Sequence, residues 1–375
     1  MSPNKGKKGK RSVLSMLMLL INLVLVLVLI VSYLAAYTPP DRFWPLVFFG
    51  LAYPAILLLN LAFMVYWLIR LKAWFLVSFF TILLGLNHFQ AYFKFSGKDD
   101  IPDDARHIKV MSFNVRYFDR YNWVHGENEI TRKEIFQMLR EESPGIICFQ
   151  EFYTDMTPAF NTVDSLAKAY GYPYYHTHYA LVKARRQSYG SATFSRYPIV
   201  KREVFRFTNN IYNYAIISDI VVKSDTFRVI NVHFESIRLS EEDRLFLNDL
   251  TRQVGEQGEI VSKYRKIFHK IRFASELRAS QVREIRKLVE ESPYPVIVCT
   301  DLNDTPASYA YRQLTRNLRD AFSESGSGLG NTYIGFLPAF RIDFILYDPV
   351  FESRGYQKIP KHLSDHYPIV TNLIY

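Results

Sequence analysis

The sequence predicts an α/β body built on mixed β-sheets, preceded by an N-terminal membrane-spanning helical segment. Three observations predict it. Residues 13–95 hold long, nearly uninterrupted apolar runs, while the chain beyond has ordinary globular composition. From about residue 107, short β-rich runs alternate with amphipathic helical patterns. These runs outnumber the helices between them, which argues against a simple parallel doubly wound sheet.

The apolar runs come first. "VLSMLMLLINLVLVLVLIVSYLAAY", residues 13–37, is long enough to cross a bilayer, with Asn22 its strongly polar interruption. "WPLVFFGLAYPAILLLNLAFMVYWLI", 44–69, reads as a second span despite Pro54, because membrane helices tolerate proline. "AWFLVSFFTILLGLNHFQAYFKF", 73–95, reads as a third span with an interfacial outer end, against the alternative of a re-entrant or surface-lying helix. A signal peptide fits the start poorly: the run is too long and no small-residue cleavage site follows. Lys5, Lys7, Lys8, Lys10 and Arg11, then Arg70 and Lys72, place both flanking stretches in the cytoplasm by the positive-inside rule. Three spans then put residue 96 onward outside the cytoplasm. The expected organisation is a basic start and two to three spans over 1–95, a polar linker over 96–106, and a catalytic domain over 107–375.

The charge divides along the same line. Of 46 basic and 36 acidic residues, eight basic and one acidic precede residue 94, so the large domain carries only about +3 of the net +10. It is not the strongly basic body expected of a protein that grips duplex nucleic acid mainly by charge. Cys148 and Cys299 lie in apolar strand-like runs and make neither a disulfide framework nor a metal-ligand cluster. Buried free thiols are the plain reading, a disulfide between neighbouring strands the alternative.

Within the large domain, the strand candidates are "IKVMSFNV", "GIICFQ", "SATFSR", "YAIISDIVV", "FRVINVHF", "PVIVCT", "RIDFILYD" and "HYPIVTNLI". Helices are expected over 129–142, 157–170, about 241–291, and 307–317. In the long stretch, Val261, Tyr264, Ile267, Phe268 and Ile271 share one helical face ringed by Lys263, Arg265, Lys266, Lys270 and Arg272. Such a helix could lie on anionic lipid, attract a phosphate-bearing substrate, or simply pack on the body with a solvated basic side.

Polar residues recur where strands end or begin: Asn114, Glu151, His233, Asp301 with Asn303, Asp343, and Asp365 with His366. Singly, each is an ordinary turn cap or loop residue. Together they suit attack of water on phosphorus. A hard cation such as Mg²⁺ takes one or two carboxylates, and the reaction needs a base, donors for phosphoryl oxygens and help for the leaving oxygen. No HExxH, CxxC pair or P-loop competes. His176 and His178 share a strand face but lack a third ligand nearby, and read as structural or surface residues.

The ordered series SFN, FQE, "YGSATFSRYPIV", VHF, TDLND, RIDFIL and SDHYP resembles the endonuclease/exonuclease/phosphatase superfamily over about residues 107–375. The resemblance implies a four-layered sandwich of two mixed sheets flanked by helices. It implies Glu151 as principal metal ligand with Asn114 beside it and Asp365 at or near the metal. Asp301 would orient or deprotonate the attacking water, and Asn303 would donate to phosphate. Asp343 would hold His366 against the phosphate, and His233 would assist the leaving group. Two departures stand out: Thr300 replaces the glycine usual in the Gly-Asp-Phe-Asn motif, and the helical stretch before "RASQVREI" is longer than in compact members.

The expectation is a Mg²⁺-dependent phosphoester hydrolase, with Mn²⁺ the alternative ion. It is expected in the cytoplasmic (inner) membrane with its catalytic domain on the extracytoplasmic side. Its anchoring favours a phospholipid or other envelope phosphoester as substrate, and "LPAFRIDFIL" faintly resembles phosphoinositide phosphatase wording. A membrane-tethered nuclease is the first alternative, a catalytically silent scaffold the second. The lipid bilayer and the substrate are the partners implied; no protein partner is inferred.

Overall fold

The structure, a computed structural model, describes residues 13–124, 128–158, 160–183, 186–208, 213–248, 257–335 and 340–375. The basic start, residues 249–256 of the expected long helix and residues 337–339 of "LPAFRIDFIL" lie outside the described residues.

Among the described residues, fourteen strands follow in chain order. They are β1 (Phe93–Lys94), β2 (His107–Asn114), β3 (Ile146–Thr154), β4 (Tyr174–Lys183), β5 (Gln187–Ser195), β6 (Ile199–Arg206) and β7 (Tyr214–Val222). Then come β8 (Asp225–His233), β9 (Val296–Asp301), β10 (Arg319–Asp320), β11 (Gly328–Leu329), β12 (Asp343–Tyr347), β13 (Glu352–Lys358) and β14 (Ile369–Ile374). Twelve build two six-stranded mixed sheets, ordered β13-β14-β2-β3-β5-β4 and β10-β12-β9-β8-β7-β6. Each has one parallel pair at its centre, β2 with β3 and β8 with β9. Helix Asn128–Glu142 makes the first crossover, and helices Glu241–Asn248 and Gln257–Glu290 lie in the second.

Period-two alternation sorts the strand residues onto two faces. Ile108, Val110, Ile146, Cys148, Ile297, Cys299 and Ile345 fill the core between the sheets. Their neighbours Met111, Phe113, Ile147 and Phe149 pack outward with Ile135 and Leu139 of the first crossover helix. Val296, Val298, Phe344 and Leu346 meet Ala279, Val282 and Ile285 of the long helix. The result is helices, sheet, sheet, helices, the architecture the resemblance implied. Both cysteines are free and buried between the sheets. The expected helix over 157–170 shrinks to Thr162–Asp164 and one wide turn, because Asp155 closes a turn on Thr157 and Asn161 caps only from residue 162.

The apolar segment is a compact helical cluster. Val13–Leu34 is long and apolar enough to cross a membrane, with mean hydropathy 3.1. Tyr53–Ile69 and Phe75–Leu84 are apolar but shorter. The second expected span, 44–69, is instead split at Ala52 into Leu46–Leu51 and Tyr53–Ile69, and the third breaks at Gly85. Gly85 sits against the Tyr33 ring, where a Cβ would clash. Asn22 joins all three helices, donating to Ser78 Oγ at 2.8 Å and accepting from Trp67 Nε1 at 2.9 Å. Polar cross-links of this kind hold helices together where apolar packing alone does not discriminate between lipid and protein.

One end of this cluster meets the large domain. Asp41 pairs with Arg283, Phe48 packs on Phe268, Ala91 O accepts from buried Arg341 and Tyr92 O accepts from Gly330 N. The expected linker is likewise docked, through Lys98 N to Ser325 O and Gly355 N to Lys98 O.

Candidate active site

The carboxyl ends of the central parallel strands, and the adjoining starts of their antiparallel neighbours, meet at one edge of the sandwich. This is where open α/β sheets collect ligands. Asn114 ends β2, His233 ends β8 and Asp301 ends β9; Asp343 begins β12 and pairs directly with Asp301. Asp365 and His366 lie just before β14. Glu151 sits at a register shift between Phe149 and Phe152, with φ of 48°. Such a bulge re-aims a strand residue, which is how Glu151 turns toward this edge.

Hydrogen bonds tie the two sheets together here. Asn114 Nδ2 donates to Asp301 Oδ2 at 3.0 Å, and Asn303 N donates to Asp301 Oδ1 at 2.9 Å. Both oxygens of the buried Asp301 carboxylate are therefore oriented. His366 Nδ1 faces Asp343 Oδ2 at 2.9 Å, and its Nε2 lies 3.8 Å from Asp301 Oδ2. His233 Nε2 stands 3.4 Å from Asp301 Oδ2 and 4.0 Å from Glu151 Oε1. Asp365 faces Arg116 at 3.4 Å.

All eight residues expected from the sequence thus reach one edge, with two qualifications. Asn114 bonds Asp301, while its Oδ1 accepts from Arg116 N at 3.0 Å. Asn303 turns its amide onto Phe234 O at 3.1 Å. His176 and His178 lie elsewhere, as structural residues: His176 bonds Ser218 and His178 packs on Tyr214. Burial pushes His176 down to about 4, which leaves it neutral near pH 7.

Several site residues carried no isolated sequence signal. Arg116 stacks over Trp123 while pairing with Asp365. Thr332 Oγ1 accepts from Ile342 N and Asp343 N, fixing the start of β12. Buried Arg278 binds Glu235 O and Asp304 below the Asp301 loop. Tyr117, Tyr121, Tyr189, Tyr214 and Lys183 line a cleft of about 300 Å³ that opens beside Glu151 and His233. Thr300, the departure from glycine, is fully buried, and its hydroxyl has no partner among the described residues. Thr300→Val is expected to stabilise the domain by about 1–3 kcal/mol by removing that unpaired group. Urea unfolding checks this; a destabilised variant would show the hydroxyl to be engaged.

The electrostatics separate two roles. Burial raises the Glu151 carboxyl above its ordinary value and the nearby Asp365 charge adds to this, against a lowering by His233. Burial works to lower His366, but the Asp343 and Asp301 carboxylates outweigh it and hold the imidazole well above its ordinary value. The stability His366 contributes is therefore present below the ordinary histidine range and is lost as pH rises through its raised value. Asp343→Asn removes the largest raising contribution, so burial should dominate and His366 should become neutral near pH 7. An imidazole ¹⁵N titration of the metal-free protein reads this directly; an unmoved His366 would contradict the assignment.

Asp301, Asp343 and His366 offer ligand atoms within 4.8 Å of one another. That group differs from the expected ligands Asn114, Glu151 and Asp365. Its two carboxylates are half balanced by the His366 cation, while Asp365 in the other set is paired with Arg116 and Glu151 is raised by burial and by the Asp365 charge.

Residues 111–366, more than half of the chain, match the model described as Endonuclease/Exonuclease/phosphatase family. The chain belongs to this family. Its members are usually phosphoester hydrolases that use divalent metals. Residues 15–92 match a second model, described as a domain of unknown function (DUF8431). No curated protein matches the chain. An endonuclease/exonuclease/phosphatase family protein from Bacteroides thetaiotaomicron shares the fold, at 16% identity over 72% of this chain and 99% of that one, with TM-score 0.51. The human Nocturnin catalytic domain with bound sulfate anion is 18% identical over 72% of this chain and 94% of its own (TM-score 0.49). A Bacteroides vulgatus family protein is 19% identical over 72% and 98% (TM-score 0.48).

Proposed function

We propose that this protein is a membrane-anchored, Mg²⁺-dependent hydrolase of phosphate esters, acting on a lipid or other envelope phosphoester. The observation that carries the chemistry is the doubly oriented Asp301 beside a His366 cation held by Asp343. Asp301 takes the proton of the attacking water, with Asn114 and Asn303 aligning its two oxygens. His366 meets the negative charge that grows on the phosphoryl oxygens, and Asp343 keeps it protonated and oriented. His233, within 3.4 Å of Asp301, delivers a proton to the leaving oxygen. A divalent cation held by Glu151 and Asp365, with Asn114 adjoining, would supply Lewis-acid stabilisation of the phosphoryl and leaving oxygens when bound.

The anchoring reading rests on the 22-residue apolar helix and its two shorter apolar neighbours, which expose Leu20, Leu27, Leu58, Leu68, Phe80 and Leu84. All three would cross. The large domain docks on the end away from Val13 and Lys72, which puts it opposite the basic flanks, on the extracytoplasmic side of the inner membrane.

A second reading, a tethered nuclease, draws on the tyrosine-lined cleft beside Glu151, because aromatic rings stack on bases. Full-length protein with Mg²⁺ would be offered phospholipid vesicles and supercoiled plasmid. Release of lipid headgroup or phosphate that disappears in His366→Ala supports the lipid reading. Plasmid nicking with the same dependence, without lipid turnover, would replace it with the nuclease.

A further inference from the structure

The long helix Gln257–Glu290 changes character along its length. From Ala274 onward one face is buried, and it packs on the second sheet through Ala279, Val282 and Ile285. Ahead of that point, Ile267 is the one buried side chain among the described residues, and Val261, Phe268 and Phe273 are about half exposed. This overhanging half would be costly to leave in water. It does not stand alone. Trp44 and Phe48 of the apolar segment lie against it, Phe48 edge-on to Phe268 at 4.8 Å and Trp44 under the Arg272 guanidinium at 5.5 Å.

Between the two runs lies a trough of about 530 Å³, lined by Trp44, Val261, Tyr264 and Phe268 with Arg265 and Arg272. The charge is one-sided: residues 260–275 hold five lysines and arginines and no acidic residue. Asp243 and Glu276 engage Lys270 and Arg272, but Arg265 and Lys266 form no ion pair among the described residues. An apolar trough with cationic margins fits an amphiphile with an anionic head. A soluble anion would leave the aromatic wall unused, and a neutral apolar molecule would leave Arg265 without a counter-charge.

We infer that this trough holds an anionic phospholipid of the bilayer that contains the N-terminal helices. Its phosphate meets Arg265 and Arg272, and an acyl chain lies against Trp44, Val261 and Phe268. The inference rests on the membrane reading given above. It deepens that reading, because the helix pair starts only eight residues after His233 and Lys270 binds both Asp243 and Arg238 O. A lipid bound here fixes the catalytic edge next to the bilayer surface, where a membrane-borne phosphoester is presented.

The experiment places the full chain in nanodiscs of phosphatidylglycerol and phosphatidylcholine, then reads the lipids retained after mild detergent by native mass spectrometry. The wild-type chain is expected to keep phosphatidylglycerol selectively. Arg265→Gln combined with Phe268→Ser is expected to lower that retention at least about tenfold, since it removes a charge-assisted contact and an apolar wall. An unchanged circular dichroism spectrum and unchanged turnover of a soluble phosphodiester show that the variant is folded. Equal retention by the variant, equal retention of phosphatidylcholine, or a second copy of the chain occupying the trough would each overturn the inference. Alkaline carbonate washing separates the underlying reading: protein stripped from membranes removes the anchor itself, while protein that stays embedded without selecting phosphatidylglycerol removes the trough alone.

Discussion

Asp301→Ala is expected to lower phosphoester turnover by about 10³–10⁴-fold with little change in KM, a loss of general-base catalysis and of the group that aligns the water. The residue is 1% exposed, and three partners converge on its carboxylate: Asn114, Asn303 N and His233. Removing it leaves the Asn114 amide without its acceptor and the two histidines without a shared counter-charge. Some stability is lost as well, so Asp301→Asn is the companion variant, nearly isosteric but unable to take a proton. If Asp301→Asn turned over substrate at the wild-type rate while folded, the base would have to be another residue.

The second large effect is on the metal. Glu151→Gln is expected to weaken Mg²⁺ or Mn²⁺ binding at least about a hundredfold, since a hard cation loses its charged ligand and keeps only a neutral amide oxygen. Because the Glu151 carboxyl sits above its ordinary value, metal must displace its proton as pH falls. Affinity in the wild-type protein should therefore decline on acidification at higher pH than for an ordinary carboxylate, with proton release on binding. Calorimetry in buffers of different ionisation enthalpy measures both quantities. Affinity that is flat with pH, or unchanged in Glu151→Gln, would shift the ligand role to the Asp301, Asp343 and His366 group.

What the sequence made legible follows from burial. All eight strands expected from apolar runs are the interior strands of the two sheets, where both faces are covered. The four edges, β4, β6, β10 and β13, were not expected. "IVKREVFR" and "ESRGYQK" carry the charges that protect an edge from pairing, and those same charges erase the apolar signature of a strand. The site was legible through polar residues that interrupt apolar strands at their ends. Its supports were not. Arg116 and Thr332 act through partners distant in sequence, and the inter-sheet bonds of Gln150 with Asn231 depend on register. The bulge that aims Glu151 has no marker such as glycine, and the cleft tyrosines are scattered from 117 to 214. The apolar segment was legible as helices, but its close approaches, Gly50 on Ala35 and Ala307 and Gly85 on Tyr33, are tertiary contacts that hydropathy does not record.

The most direct measurement is hydrolysis of bis-p-nitrophenyl phosphate and p-nitrophenyl phosphate by the full-length protein in detergent, with Mg²⁺ and with EDTA, beside His366→Ala. The account predicts turnover that needs the metal and falls by about 10²–10³-fold in the variant, the size of losing one preorganised charge at the phosphoryl oxygens. A folded, metal-binding protein that hydrolyses neither ester, or one whose activity survives both EDTA and His366→Ala, would contradict it.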